Sequence, residues 1–178
     1  MSIRRKSWKA DGGSVDGVSG SDCGLAGMVT QRSPLPMRRA VQQMAHYFQR
    51  EVHYDFLQYV AVEEERDDKT VAFLWTDDYP IDNKGSLEVL GACCFRWRQY
   101  SDSGDRYALQ WIWIHPYRRR KGHLTKAWPY FEKRFGEFIV EGPLSRAMRV
   151  FLATKTKYND LLARLGVVPL KGETDAEE

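Results

Sequence analysis

Residues 111–124 read WIWIHPYRRRKGHL. An apolar, β-prone run meets Pro116, then four consecutive basic residues from Arg118 to Lys121, then Gly122. From there the period turns helical: Leu124, Ala127, Trp128, Phe131 and Phe135 recur on one helix face. A strand that hands over to a helix through a basic, glycine-containing turn can hold a phosphorylated ligand. The first N–H groups of the helix are unpaired, the dipole is positive there, and Arg and Lys add charge. Gly122 lets a phosphate come close to the backbone. Charge runs more often form a plain solvated face, so the weight rests on the strand before the run and the helix after it. Pro129 falls inside the helical pattern and removes one hydrogen bond, so a kink or early break is expected there.

Neither GxxxxGK[ST] nor GxGxxG occurs, which points away from nucleotide hydrolysis and from a dinucleotide-binding sheet. Upstream, Tyr107 to Ile114 and Leu87 to Arg98 read as two strands, joined by the turn SDSGD into an antiparallel hairpin. TVAFLWT at 70–76 is a third strand. Residues 56–62 are apolar and are read as a strand rather than a helix extension. Met37, Ala40, Val41, Met44, Ala45, Tyr47 and Phe48 predict an amphipathic helix that begins near Pro36 and runs to about Val52. Residues 1–35 are rich in Gly, Ser and Asp, carry no apolar period, and are expected to be a disordered tail. Downstream, EFIVE at 137–141 is a short strand, a last helical region starts near Leu144, and 171–178 is an acidic tail. The domain is thus expected over 36–170.

With 178 residues, the chain is long enough for one domain with its own core. Net charge is +3, too small to argue for nucleic-acid binding by itself. Aromatic residues reach 13%, which calls for an aromatic core or cleft. Trp111 and Trp113 share one strand face, with core packing as the first reading and a substrate wall as the second. Cys23, Cys93 and Cys94 form no disulfide framework and no zinc spacing, and no metal site is expected. Reduced thiols and the lack of a long apolar run point to a cytoplasmic protein without a membrane span.

Ile114-His115-Pro116, followed by Arg119-Arg120-Lys121-Gly122-His123-Leu124, resembles the signature of the GCN5-related N-acetyltransferases. That signature is a strand ending in V-x-P, then [R/Q]-x-x-G-x-[G/A] at a helix start; Leu124 stands where the family has a small residue. The order of elements around it is similar as well. The resemblance implies an α/β (α+β) fold. Its central sheet would be mixed, mostly antiparallel and flanked by helices, splayed between strand 107–114 and strand 137–141. It implies acetyl-coenzyme A as co-substrate. The pyrophosphate would be held by the backbone of Arg119, Arg120, Lys121, Gly122, His123, Leu124 and Thr125, and the pantetheine arm by Trp113, Ile114 and His115. An acceptor amine, on a small molecule or on a protein lysine or N-terminus, would attack the thioester directly.

Acid and base are less legible. The family often carries a Glu on the central strand, but 107–114 has no acidic residue; Gln110 could orient a water instead. Glu141 is the nearest carboxylate by topology. The usual thiolate-protonating Tyr falls on Leu162, which leaves Tyr158, one turn earlier, and Ser145 as candidate donors. Plainer roles are open for each: Glu141 or Ser145 at a helix start, Tyr158 at the surface. Two alternatives stand beside the transferase. One is a nucleic-acid-binding module, from the Lys/Arg of 118–134 interleaved with Trp128, Tyr130 and Phe131. The other is an acetyltransferase-like fold that binds without catalysis. Acidic residues in 63–69 and 77–86 could attract a cationic acceptor.

Overall fold

The computed structural model describes residues 2–4, 25–62, 69–80, 86–101 and 104–164. In chain order the elements are β1 (Ser2–Arg4), β2 (Leu25–Val29), α1 (Leu35–Val52), β3 (Thr70–Pro80), β4 (Ser86–Arg98), β5 (Arg106–Ile114), α2 (His123–Phe135), β6 (Ile139–Val140), α3 (Arg146–Ala153) and α4 (Asn159–Arg164). Short 3-10 turns lie at Pro116–Arg118 and Thr156–Tyr158. The chain divides into two compact units, Met1–Glu141 and Gly142–Glu178.

The first unit is built on a sheet in the order β2-β3-β4-β5-β6, with β1 paired antiparallel to β4. The expected β4–β5 hairpin is present, with Arg98 opposite Arg106 and Gly91 opposite Ile114. β6 runs parallel to β5, and only Ala108↔Ile139 and Leu109↔Val140 pair. Glu141 N–H adds one bond to Leu109 O at 3.0 Å. Beyond that point β6 leaves, and among the described strands nothing pairs with that side of 110–114. The sheet is therefore mixed, mostly antiparallel and splayed between β5 and β6, as the family resemblance implied.

Period-2 alternation on the strands sorts the core into two faces. Ala72, Leu74, Ala92, Cys94, Trp111 and Trp113 pack with Met37, Ala40, Val41, Met44 and Ala45 of α1. The other face is aromatic and meets α2: Phe95 lies 4.4 Å from Phe135 and 5.0 Å from Phe131, and Phe73 lies 5.2 Å from Phe131. Two register shifts disturb the alternation at places that matter. Gln110 is an extra residue of β5 between the pairs Leu109↔Phe95 and Trp111↔Cys94. Leu90 is likewise extra in β4, between Val89↔Thr76 and Gly91↔Trp75. Leu90 O then accepts His115 N–H at 2.8 Å, just past the end of β5.

Three expectations are corrected. Residues 1–35 are not wholly a tail: Ser2–Arg4 and Leu25–Val29 are strands, while residues 5–24 lie outside the described residues. β2 is only five residues long and contains a glycine, so its period was too short to read, yet Leu25 and Val29 are buried. Residues 56–62 form no strand, because side chains of α1 take their backbone groups: Gln42 Oε1 accepts Ala61 N–H at 2.8 Å, and Arg38 donates to Ala61 O. Pro129 does not end α2, which runs unbroken from His123 to Phe135. Pro129 and Thr125, whose carbonyl loses the bond, are both exposed, so water can take that partner's place.

In the second unit, α3 and α4 bury Met148, Leu152 and Leu162. Residues 165–178, including the expected acidic tail, lie outside the described residues.

Candidate active site

The turn after β5 has the backbone that a phosphate-binding loop needs. Arg120 and Gly122 both take left-handed conformations, with φ of 60° and 77°. Gly122 is the N-cap of α2, and no side chain caps that helix or places an acid in its first turn. The N–H groups at its start are thus left to a ligand or to water. A Cβ on Gly122 would meet nothing within 4 Å, so the glycine serves its backbone angle and leaves the space in front of it open.

The basic side chains divide into two pairs. Arg118 Nη2 bonds Asp77 Oδ2 at 2.9 Å and Glu88 Oε2 at 3.0 Å, which ties the turn to β3 and β4. Arg119 is anchored more fully. Its Nε donates to Ile114 O at 2.7 Å, and its two Nη atoms meet Glu51 Oε1 and Oε2 at 2.7 and 2.6 Å. Trp113 Nε1 donates to the same Glu51 Oε2 at 2.8 Å, and the Arg119 guanidinium lies 5.9 Å from the Trp113 ring. Arg119 holds Glu51 below the usual carboxylate range, burial opposes this, and the Trp113 N–H assists it. Arg120 and Lys121 are exposed and, among the described residues, make no ion pair. The free charge of the turn therefore sits on Arg120 and Lys121, while the signature Arg119 is engaged with Glu51.

His123 opens α2 with Nε2 buried and unbonded, and its pKa is lowered, first by burial and then by Lys126, Lys121 and Arg118. It stands neutral beside the turn. Leu124 is half-buried and Thr125 exposed; the fully buried positions of α2 begin at Ala127. On β5, Trp111 and Trp113 pack against Phe48 at 5.9 Å and Tyr47 at 4.9 Å, so the core reading holds for their rings. His115 is exposed, between Trp113 and Tyr117.

Glu141 stands where β6 parts from β5. Its Oε1 accepts from Arg98 Nε at 3.1 Å and Tyr100 Oη at 3.3 Å, and its Oε2 faces Gln110 Nε2 at 3.5 Å. Glu141 and Gln110, both named from the sequence, thus share one network, and Gln110 is the extra residue of β5. Burial and the neighbouring Glu141 charge raise the Tyr100 pKa, so that hydroxyl stays protonated. In the second unit, Ser145 is the N-cap of α3, its Oγ accepting Met148 N–H at 3.2 Å. Tyr158 is buried rather than at the surface, with Lys157 Nζ 5.1 Å from its ring.

Sequence reasoning did not find Glu51, Arg98 or Tyr100. Glu51 lies 68 residues from Arg119, and Arg98 lies 43 residues from Glu141. No local signal connects them. Trp128 and Phe131 are fully buried and cannot stack on bases, which takes two of the three aromatics out of the nucleic-acid reading; Tyr130 is half-buried. Among the described residues there is no His/Cys/Asp/Glu group that could hold a metal, and no helix long and apolar enough to cross a membrane.

No family model and no curated protein matches the sequence. Solved structures do match. The xEco2 acetyltransferase domain bound to a K105-CoA conjugate aligns with TM-score 0.51 at 13% identity, over 73% of this chain and 85% of that one. A ribosomal-protein-alanine N-acetyltransferase from Brucella melitensis biovar Abortus 2308 aligns with TM-score 0.42 at 14% identity, over 76% and 88%. An aminoglycoside acetyltransferase from a soil metagenome, in complex with sisomicin, gives 0.41 at 13%, over 88% and 95%. Together with the splayed sheet and the left-handed turn after β5, the first of these shows that the chain has the fold of the GCN5-related N-acetyltransferases.

Proposed function

We propose that this chain is an acetyl-coenzyme A-dependent N-acetyltransferase. The observation that carries the reading is the open edge of β5, which runs directly into the left-handed turn at Arg120 and Gly122 and the uncapped start of α2. These residues fit a pyrophosphate: the amides of 120–125 supply donors, while that of Arg119 is spent on Pro116 O, and Arg120 and Lys121, which make no ion pair among the described residues, supply charge. Trp113, Ile114 and His115 offer the open edge of β5 to an extended amide-bearing arm, although Ile114 O already accepts from Arg119 Nε and His115 N–H donates to Leu90 O. When bound, acetyl-coenzyme A supplies an activated thioester carbonyl.

The acceptor is an amine, on a small molecule or on a protein. Glu141 is the group placed to orient that amine and take its proton, because it stands at the parting of β5 and β6 and is held in position by Arg98, Tyr100 and Gln110. Ser145 and Tyr158 are the proposed donors to the departing thiolate; Ser145 accepts a backbone bond and keeps its own hydroxyl proton to give. A cytoplasmic location accompanies this reading.

Thermal unfolding with and without coenzyme A tests it. A saturated site at about 100 times Kd adds roughly 2.7 kcal/mol of stability, a readily measured rise in Tm. Gly122→Asn, which tolerates the left-handed angle, keeps the rise, and Gly122→Glu abolishes it. No rise for the unaltered protein at saturating coenzyme A overturns the proposal. A rise without thiol release across a broad amine screen assigns the chain to binding without catalysis.

A further inference from the structure

The geometry points to Glu51 as the positioning residue of the donor site, an inference that rests on the site proposed above. Glu51 lies at the last turn of α1, outside the signature loop, and its carboxylate joins two parts of that site, β5 through Trp113 and the turn through Arg119. One oxygen takes Arg119 Nη1; the other takes both Arg119 Nη2 and Trp113 Nε1. Arg119 in turn donates Nε to Ile114 O, the last carbonyl of β5. A paired, planar Arg–carboxylate fork has one low-energy arrangement, unlike a single flexible contact. It locks the end of β5 and the start of the turn against the end of α1. Arg119 therefore acts on the donor by shaping backbone, and the phosphate charge falls to Arg120, Lys121 and the α2 amides. The donor site is ordered before the donor arrives, so binding need not order it.

This has a consequence opposite in sign to simple electrostatics. Removing a carboxylate near a pyrophosphate strengthens binding of the anion if charge is all that matters. If Glu51 positions the turn, its removal weakens binding. Coenzyme A affinity is measured by titration calorimetry for the full chain and for Glu51→Ala, Glu51→Gln, Arg119→Ala and the double Ala variant, with Tm and circular dichroism as folding controls. Glu51→Ala is expected to lose about tenfold in affinity, the scale of one lost hydrogen bond to a charged group. Glu51→Gln has lost the same charge but can keep, through its one carbonyl oxygen, the bonds from Trp113 Nε1 and Arg119 Nη2 while losing the one from Nη1, so it recovers part of the affinity. The double variant is no weaker than Arg119→Ala alone, because both changes break one contact. With a reactive amine in hand, the KM for acetyl-coenzyme A rises in Glu51→Ala while kcat holds.

A folded Glu51→Ala that binds coenzyme A as tightly as the unaltered chain, or more tightly, overturns the inference and leaves the donor site standing. So does an Arg119→Ala loss that Glu51→Ala does not share, since Arg119 would then touch phosphate itself. An unaltered chain that does not bind coenzyme A overturns the functional proposal, and this inference falls with it.

Discussion

The two ends of the splay are built on different principles. At the proposed donor end, after β5, the proposed binding groups are backbone: two left-handed residues, an uncapped helix start and a strand edge that is unpaired among the described residues. Side chains there mostly hold the backbone in place, with Arg118 on Asp77 and Glu88, and Arg119 on Glu51. At the proposed acceptor end the proposed working group is a side chain, Glu141, and its neighbours Arg98, Tyr100 and Gln110 come from two other strands and a turn. Backbone sites are specified by local conformation. Side-chain sites depend on distant elements meeting. The two ends should therefore respond to mutation in separable ways.

The sharpest separation is expected from Glu141→Gln. It removes the proposed base while keeping shape, so acetyl transfer falls about 100-fold, the lower range for general base catalysis. Coenzyme A affinity stays unchanged, because no donor-end group touches Glu141. Single-turnover thiol release and calorimetry on the same preparation check this, and a parallel loss of coenzyme A binding would merge the two ends into one. Next in size is Gly91→Ala. Its Cβ would sit 2.5 Å from Trp113 O and 2.9 Å from Ile114 Cα, both backbone atoms that cannot step aside. Destabilisation of about 2 kcal/mol follows from such overpacking, together with weaker coenzyme A binding, because the displaced strand is the donor edge. Denaturant unfolding measures the first effect and titration the second.

Gly122→Ala is smaller. Nothing crowds the position, so only the φ of 77° opposes a side chain, at about 1 kcal/mol. Gly122→Asn should cost less still, as Asn accepts that angle. Equal losses for both would mean that space, not conformation, selects the glycine. The smallest effect is with pH. Glu51 titrates below its ordinary 4.5 in the folded chain, chiefly through Arg119. Its stabilising contribution is therefore full above pH 4.5 and is lost as pH falls through the lowered folded value. The acid limb of the Tm–pH curve should be shallower in Glu51→Gln, and identical limbs would remove Glu51 from the clamp.

Legibility follows the same division. Apolar, β-prone runs bounded by turn residues exposed β3, β4 and β5, and the i, i+3, i+4 pattern exposed α1 and α2, because each pattern extends over several residues or turns. β2 failed because it is five residues long, and 56–62 failed because its partners are the side chains of Arg38 and Gln42, not another strand. Pro129 misled because the lost bond faces solvent, where water can replace it. Gly122 and the basic run were legible as a turn. That Arg119 spends its charge on Glu51 was not.

Local rules of the chain alone thus determined the order of elements, the helix faces and the strand-to-helix turn that could receive a phosphate. Those are properties of neighbours within a few residues, where dihedral preference and burial period act. Tertiary structure alone decided which cations remain free and what surrounds Glu141. Both depend on contacts between residues thirty or more positions apart, and no local pattern encodes such a meeting.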